Sequence, residues 1–406
     1  MFKSHISCRV CGNEKLKPYL NLGLMPLSNN LLSAPDEIAP RYPLEVLLCE
    51  RCGLSQLSIV IDPVTLFGHY VYRSSMSEGY KKHCHDMALD LRDQYDLDAE
   101  TFHIDIAGND GALLAEFKKV LGHKTLNIDP AVNLIKICED QGIRVYNTFW
   151  GMAAAKHLLA TSWPLPKLIT ATNVFAHVDD VTEFLDAIKS VLRSDGVAII
   201  EFPYLIDFIE KNEFDTVYFE HLSYFSIYPL SVLCGQRGLV LADVTHHDIH
   251  GGSVRCHIRK HGEPSTNVKR YVFKELEEGY NKIETYKNWA AKVDHVVRNF
   301  SKLITYSAGT DFKIYAFAAS AKGNTLLNVA RLTADDIPFI IDQTPEKIGK
   351  YSPGTGIPIV SLDKLVEDQP DFLVLLAWNF AEEIIEKCKA AGYKGRYILP
   401  LTCEVI

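Results

Sequence analysis

The chain has 406 residues, of which 47% are apolar and 23% charged, and its formal charge is −9. That length suits two or three domains, and the acidic balance excludes a broad nucleic-acid surface, which needs clustered Lys and Arg. No apolar run approaches the roughly 18 residues of a membrane span, and Met1-Phe2-Lys3-Ser4-His5 has no apolar signal core, so a cytoplasmic chain with no membrane or nucleic-acid partner is expected.

Four of the ten cysteines form two knuckles, Cys8-Arg9-Val10-Cys11-Gly12 and Cys49-Glu50-Arg51-Cys52-Gly53. A Cys-x-x-Cys turn places two thiolates on one face, and the glycine after it permits the tight backbone that points amides at sulfur. Four thiolates satisfy tetrahedral Zn2+ with no open position, the donor set of a structural site. Two separate redox pairs would call for a thioredoxin-like surrounding pattern, which is missing. Residues 44–48 and 54–60 read as strands. Residues 66–77 gather aromatics and hydroxyls and read as a loop or a lid over a neighbouring site. A zinc-binding module over residues 1–75 is expected.

Residues 76–250 read as an α/β domain. Residues 78–96 have helical spacing. Residues 101–107 form a strand that runs into Gly108-Asn109-Asp110-Gly111 and then a helix, the first unit of a doubly wound fold with its ligand at the strand's carboxyl end. About 20 residues on, a second strand ends in Asp129-Pro130, a spacing that serves a ribose diol. Further strands fit at 168–173, ending at Asn173, and at 196–201. His177 lies in the loop after the first of these. Asp215-Thr216-Val217-Tyr218-Phe219-Glu220-His221 sets three proton-handling side chains among apolar ones, and such groups cost free energy to bury unless they are hydrogen-bonded or used.

Residues 251–406 read as a second α/β domain. A turn at 250–252 leads into a strand, and apolar spacing predicts one long helix over residues 267–302. The strand at 312–317 is followed by Ala318-Ala319-Ser320-Ala321-Lys322-Gly323-Asn324, which suits a phosphate at a helix N-terminus or is a plain helix start with a solvated Lys. The strand at 337–342 ends in Asp342, and a polar loop with Lys347 follows. A strand at 372–377 leads to Trp378-Asn379-Phe380, and a helix and a strand over 381–400 complete the sheet.

The order of the central elements resembles a class I S-adenosylmethionine-dependent methyltransferase. Residues 105–111 look like its first motif, and the absent third glycine ranks a dehydrogenase lower. Taken together, the two knuckles, residues 106–111, 173–178, 218–226, 321–328 and 377–380 resemble the sugar C-methyltransferases that act on nucleotide-linked 4-keto-deoxy sugars. The fold class implied is α/β, with an amino-terminal zinc-binding module, a central Rossmann-like methyltransferase domain and a carboxyl-terminal Rossmann-like domain. The family often carries His where this chain has Phe219, a departure that bears on sugar or nucleotide preference.

The resemblance implies methylation of the carbon next to the sugar ketone, C3, through an enolate. His221 would be the base, Glu220 its orienting partner and Tyr218 the donor to the enolate oxygen, with Tyr72 and His177 at further active-site positions. Asp105, Gly108, Asn109, Gly111, Asp129, Pro130 and Asn173 would hold S-adenosylmethionine. Lys322, Asn324, Asp342, Lys347, Trp378 and Asn379 would hold the nucleotide-linked sugar. A monomer is implied. The rival readings are an RNA methyltransferase with a zinc module, against which the charge weighs, a non-catalytic zinc scaffold that binds a nucleotide sugar, and a sugar O-methyltransferase.

Overall fold

The computed structural model describes residues 2–68, 70, 73–249, 251–309 and 311–406. Tyr72 lies outside the described residues. Among the described residues the chain builds four sheets.

The central sheet has seven strands, in the spatial order Val240–His247, Ser253–Arg259, Val197–Pro203, Leu168–Thr172, Phe102–Ile106, Lys124–Ile128 and Arg144–Tyr146. The last five run parallel, and Ser253–Arg259 is antiparallel to both of its neighbours. Four of the five parallel strands are near-continuously buried, as two covered faces require, and the edge strand Arg144–Tyr146 is partly exposed. The chain order reverses between Phe102–Ile106 and Leu168–Thr172, which opens a crevice at their carboxyl ends.

Ser253–Arg259 lies beyond the expected domain boundary at 250, yet its register runs Pro203 to Ser253 through Ala198 to Ile258. The boundary therefore falls inside the central sheet. An antiparallel return strand needs only a short turn, so a turn before a strand does not mark a new domain.

The carboxyl-terminal sheet has the order Ile359–Val360, Ile340–Ile341, Ile314–Phe317, Phe372–Leu375, Arg396–Leu399 and Glu404–Val405. It is parallel except for the last strand. Its own reversal lies between Ile314–Phe317 and Phe372–Leu375. The strand expected at 337–342 is shortened to Ile340–Ile341, in keeping with Pro338, which donates nothing to a ladder.

The amino-terminal four-stranded sheet runs Ser223–Tyr224, Ser55–Leu57, Arg41–Leu48 and Lys17–Pro26. Its edge strand, Ser223–Tyr224, comes from the segment that carries His221 and pairs with the strand just after the second knuckle. Residues 54–60 divide at Ser58, and Ile59–Ile61 pairs instead with Phe2–Ser4.

The helix expected over 267–302 is two helices, Thr266–Glu277 and Ile283–Ala308. Gly279 between them has φ +78°, a left-handed turn that ends the first helix. Glu275 in that helix is buried, and its carboxylate accepts from the Ile227 and Tyr228 amides at 2.8 and 2.7 Å. It thereby caps the helix Ile227–Gln236 from outside. One apolar core runs from Leu44 and Leu48 through Phe202 and Phe225 to Trp289, Leu326 and Val374, packing all three regions together.

Candidate functional site

In each knuckle the glycine amide bonds back to the first cysteine carbonyl at 2.8 Å, and Gly12 and Gly53 take φ +68° and +77°. The Sγ atoms of Cys8, Cys11, Cys49 and Cys52 all lie within 4.8 Å of one another, with Cys8–Cys52 at 3.4 Å and Cys11–Cys49 at 3.5 Å. Four Zn–S bonds of about 2.3 Å in a tetrahedron space the sulfur atoms by about 3.8 Å. The donor set and its spacing fit closed Zn2+.

A cavity of about 1070 Å³ lies where the carboxyl ends of the two parallel sheets face each other. The central sheet supplies Ile106, Ala107, Asn109, Asp129, Thr172 and Asn173, and the carboxyl-terminal sheet Ala318, Ser320, Lys322 and Ala377. The cavity exceeds what one drug-sized ligand fills and has room for a cofactor and a substrate side by side.

The turn after Phe102–Ile106 is shaped for close approach. Ala107 and Asn109 both have φ +53°. A Cβ on Gly108 would lie 2.5 Å from Asp105 Oδ2 and 2.7 Å from Asn127 Oδ1, so only glycine fits. The Asp129 carboxylate accepts from the amides of Asn109 at 2.9 Å and Ala131 at 2.8 Å and lines the cavity. Pro130 and Asn173 line it too, with Phe149 and Trp150 as an aromatic wall. Asp105 is placed differently. Its Oδ1 accepts from the Thr170 hydroxyl at 2.6 Å, and its Oδ2 has no partner among the described residues. Burial pushes its carboxyl up to about 7. It shapes the turn from beneath, as do Gly108, which sits against Asp105 and Asn127, and Gly111, and none of the three lines the cavity. The turn at Ala107 and Asn109, the strand-end carboxylate and the aromatic wall fit S-adenosylmethionine. Ser74 and Ser75, from the stretch read as a loop or lid, meet this turn: the Ser74 amide donates to Asn109 Oδ1 at 3.1 Å and the Ser75 hydroxyl to Asp110 Oδ2 at 2.6 Å.

The proton-handling groups converge opposite this turn. His221 Nδ1–H donates to the Thr216 carbonyl at 2.8 Å, which leaves Nε2 as the acceptor for the Tyr218 hydroxyl at 2.9 Å. The His177 ring lies 5.0 Å from the His221 ring and stacks on Phe67 at 5.4 Å. Burial lowers His177 to about 4 and holds it neutral near pH 7. Tyr218, His221 and His177 all line the cavity. The group that orients His221 is thus the Thr216 carbonyl, where Glu220 was expected to do so. Glu220 Oε1 accepts from Asn29 Nδ2 at 2.9 Å, and its Oε2 has no partner among the described residues. Residues 218–221 form a turn closed by the His221 amide on the Tyr218 carbonyl at 3.0 Å, and across it Glu220 bonds to Asn29 while His221 bonds to Thr216 and Tyr218. Burial pushes its carboxyl up to about 7.

On the carboxyl-terminal side, Lys322, Lys347 and Asn379 line the cavity. Lys322 Nζ sits 4.6 Å over the Trp378 ring and 3.8 Å from Glu213 Oε2. The Trp378 indole N–H donates to buried Asp215 at 2.7 Å. Trp378 therefore acts as a base plate for Lys322 rather than as a cavity wall. Asn324 turns inward, its amide donating to Ser352 Oγ at 2.8 Å and the Pro353 carbonyl at 2.9 Å. Asp342 accepts from the Ala319 and Thr344 amides at 2.8 Å each, while Lys347 Nζ donates to the Ala319 carbonyl at 2.9 Å. These contacts shape the turn, and neither Asn324 nor Asp342 reaches the cavity.

Asn29 and Glu213 belong to this region and were not expected there, and Phe67, Asp215 and Thr216, which lie in the stretches singled out, were given no role of their own. Asn29 sits in the stretch between the knuckles, where no local pattern marks it. Asp215 and Glu213 carry a weak signal, as carboxylates among Phe and Val next to the Tyr–Glu–His run.

Comparison with known proteins gives three family matches in chain order: a zinc binding domain over residues 8–67, a methyltransferase domain over 79–244, and a C-methyltransferase C-terminal domain over 248–402. The C-methyltransferase NovU of Streptomyces niveus is 32% identical over 400 residues, covering 97% of this chain and 95% of that protein. Among solved structures, an S-adenosylmethionine-dependent methyltransferase from Clostridium acetobutylicum is similar with a TM-score of 0.35 and 11% identity, over 45% of this chain and 92% of that one. One titled a possible histamine N-methyltransferase, from Thermotoga maritima, gives 0.33 and 17%, over 44% and 91%.

Proposed function

Because this chain belongs to the S-adenosylmethionine-dependent C-methyltransferase family, we propose that it methylates the carbon next to the ketone, C3, of a nucleotide-linked 4-keto-6-deoxy sugar, as a cytosolic monomer. One observation carries this reading. A hydrogen-bonded Tyr218–His221 pair lines the cavity shared by the cofactor turn and the carboxyl-terminal strand ends.

Carbon becomes a nucleophile only after it loses a proton. The proton next to the ketone passes to His221 Nε2, in a side chain whose ordinary pKa suits a base near neutrality. The C–H electron pair moves into the ring as an enolate. Tyr218 O–H turns from Nε2 to the enolate oxygen, the donor such an oxyanion needs. S-adenosylmethionine supplies an electrophilic methyl group. Asp129, Pro130 and Asn173 would hold it; bound there, it would give that methyl to the enolate carbon and leave as a neutral thioether, and His221 would release its proton to solvent. The Thr216 carbonyl keeps Nδ1 protonated throughout, so one imidazole face does the work. His177, held neutral by burial, packs beside the base without adding charge.

The nucleotide end fits the carboxyl-terminal side. The first turn of the helix Ala321–Val329, with Lys322 and Lys347, supplies positive charge and amide dipoles at the cavity wall. Glu220 acts through Asn29, fixing its amide so that this side chain meets the sugar.

The test is incubation with S-adenosylmethionine and a panel of nucleotide-linked 4-keto-6-deoxy sugars, read by mass spectrometry with fragmentation. A gain of one methyl on ring carbon is expected. A methyl on oxygen, or transfer to RNA with none to the sugars, would overturn the reading.

A further inference from the structure

We propose that Arg9, inside the first zinc knuckle, is a positioning residue for the methyl transfer, holding the His221 segment and the His177 loop in one arrangement. The proposal rests on the reading above for what the two imidazoles do. The geometry that supports it is independent of the substrate.

Arg9 stands between the zinc ligands Cys8 and Cys11, and its side chain is fully buried. A buried charge is costly unless it is paired and hydrogen-bonded; Nη1 and Nε of Arg9 are so engaged, while Nη2 has no partner among the described residues. Nη1 donates to two carbonyls, Leu57 at 3.1 Å and Leu222 at 3.2 Å. Leu222 directly follows His221, and its carbonyl also accepts the Leu57 amide at 2.9 Å. Nε donates to Asp179 Oδ1 at 3.2 Å. Asp179 lies two residues after His177, and both Leu222 and Asp179 line the cavity. The Arg9 amide donates to Gln56 Oε1 at 2.9 Å, and Gln56 Nε2 donates to the Ser7 carbonyl at 3.0 Å, so the knuckle backbone is tied at both ends. One guanidinium thus reaches three segments far apart in sequence: the knuckle, the loop at 177–179 and the segment at 216–226. The last two carry imidazole rings 5.0 Å apart.

The chemistry requires arginine. Its fork is planar and rigid, with the Nη1 and Nε hydrogens at fixed angles, so carbonyl and carboxylate are gripped in one plane. A lysine ammonium offers a single point and leaves one of the two segments unheld. Zinc fixes the Cα of Arg9 through the ligands on either side. The metal site therefore sets the spacing of the imidazoles without touching substrate, in the way that outer-shell groups orient reacting ones.

The experiment uses the full chain loaded with zinc, as Arg9→Met, Arg9→Lys and Asp179→Asn. Zinc content, S-adenosylmethionine affinity, kcat and KM are measured, together with 15N spectra of the histidine rings assigned through His177→Asn and His221→Asn. For Arg9→Met we expect full zinc content, cofactor affinity unchanged within about twofold, and displaced ring signals of His177 and His221. A kcat drop of about 10- to 100-fold, with KM little changed, is the scale of a misplaced reacting group. Arg9→Lys should stay near Arg9→Met. Asp179 also meets Lys3 at 2.7 Å and His5 at 3.5 Å, so Lys3→Met and His5→Asn serve as controls. If Arg9→Met does not fold, Asp179→Asn should displace the His177 signal more than that of His221, and more than either control does. Unmoved ring signals in zinc-loaded, folded variants would overturn the proposal. So would a loss of zinc content, cofactor affinity and activity in parallel, which marks a merely structural role. The ring signals need no substrate, so their response is separable from failure to find methyl transfer to a sugar.

Discussion

Removing one oxygen atom from Tyr218 separates chemistry from stability. In Tyr218→Phe the ring stays against His221, where the centroids are 4.1 Å apart, and the 2.9 Å hydrogen bond to Nε2 is lost. The fold loses one buried hydrogen bond at Nε2, a cost of about 1–3 kcal/mol. A domain stable by about 5–15 kcal/mol remains overwhelmingly folded at 25 °C after that loss. Loss of an enolate donor lowers kcat by about 10²–10³, or about 3–4 kcal/mol of barrier. A hundredfold loss of turnover in a protein that is still folded therefore reports the transition state. The assay is single-turnover methyl transfer at saturating cofactor, beside urea denaturation of the same variant. Deuterium exchange at the carbon next to the ketone should slow by a similar factor, because the donor acts on the step that forms the enolate. A variant with full kcat, or one whose loss of rate tracks its unfolded fraction, would refute this role for Tyr218.

Other outcomes follow from single contacts. Gly108→Ala puts a methyl 2.5 Å from Asp105 Oδ2, and calorimetry should show at least a tenfold loss of S-adenosylmethionine affinity with zinc content intact. Lys322→Ala should raise KM far more than it lowers kcat in steady-state assays, and it should also destabilise the fold, because Glu213 loses its 3.8 Å partner. Glu220 gives a pH signature. Burial raises its pKa from 4.5 to about 7, so its favourable contribution is complete below pH 4.5 and is lost as pH rises to about 7. Stability of Glu220→Gln relative to the parent chain should therefore increase between pH 4.5 and 7 and level off above, as read by urea midpoints. An offset independent of pH would show that Glu220 titrates normally.

Local chemistry made several features legible in the sequence. The zinc ligands follow from two short turns, each closed by its own glycine. The cofactor turn follows from a buried strand running into Gly108, with Asp129 ending the neighbouring strand. Contacts between distant segments were not legible. The helix break at Gly279 was masked by apolar spacing on both sides, and the Glu275 cap joins residues almost fifty positions apart. Ser253–Arg259 reads as an opening strand but closes the previous sheet. Adjacency in sequence suggested Glu220 as the partner of His221, whereas the turn of backbone at Phe214–Thr216 brings the Thr216 carbonyl there instead. Lys322 reads as a free cation on a helix start, but the fold lays it over Trp378 beside Glu213.

The most direct measurement is deuterium incorporation from heavy water into a nucleotide-linked 4-keto-6-deoxy sugar, with S-adenosylhomocysteine replacing the methyl donor, in the parent chain and His221→Asn. The account predicts uptake of one deuterium at the carbon next to the ketone, abolished in the variant while S-adenosylhomocysteine still binds. Methyl transfer to that sugar by the parent chain without exchange at that carbon, or exchange undiminished in His221→Asn, would contradict it.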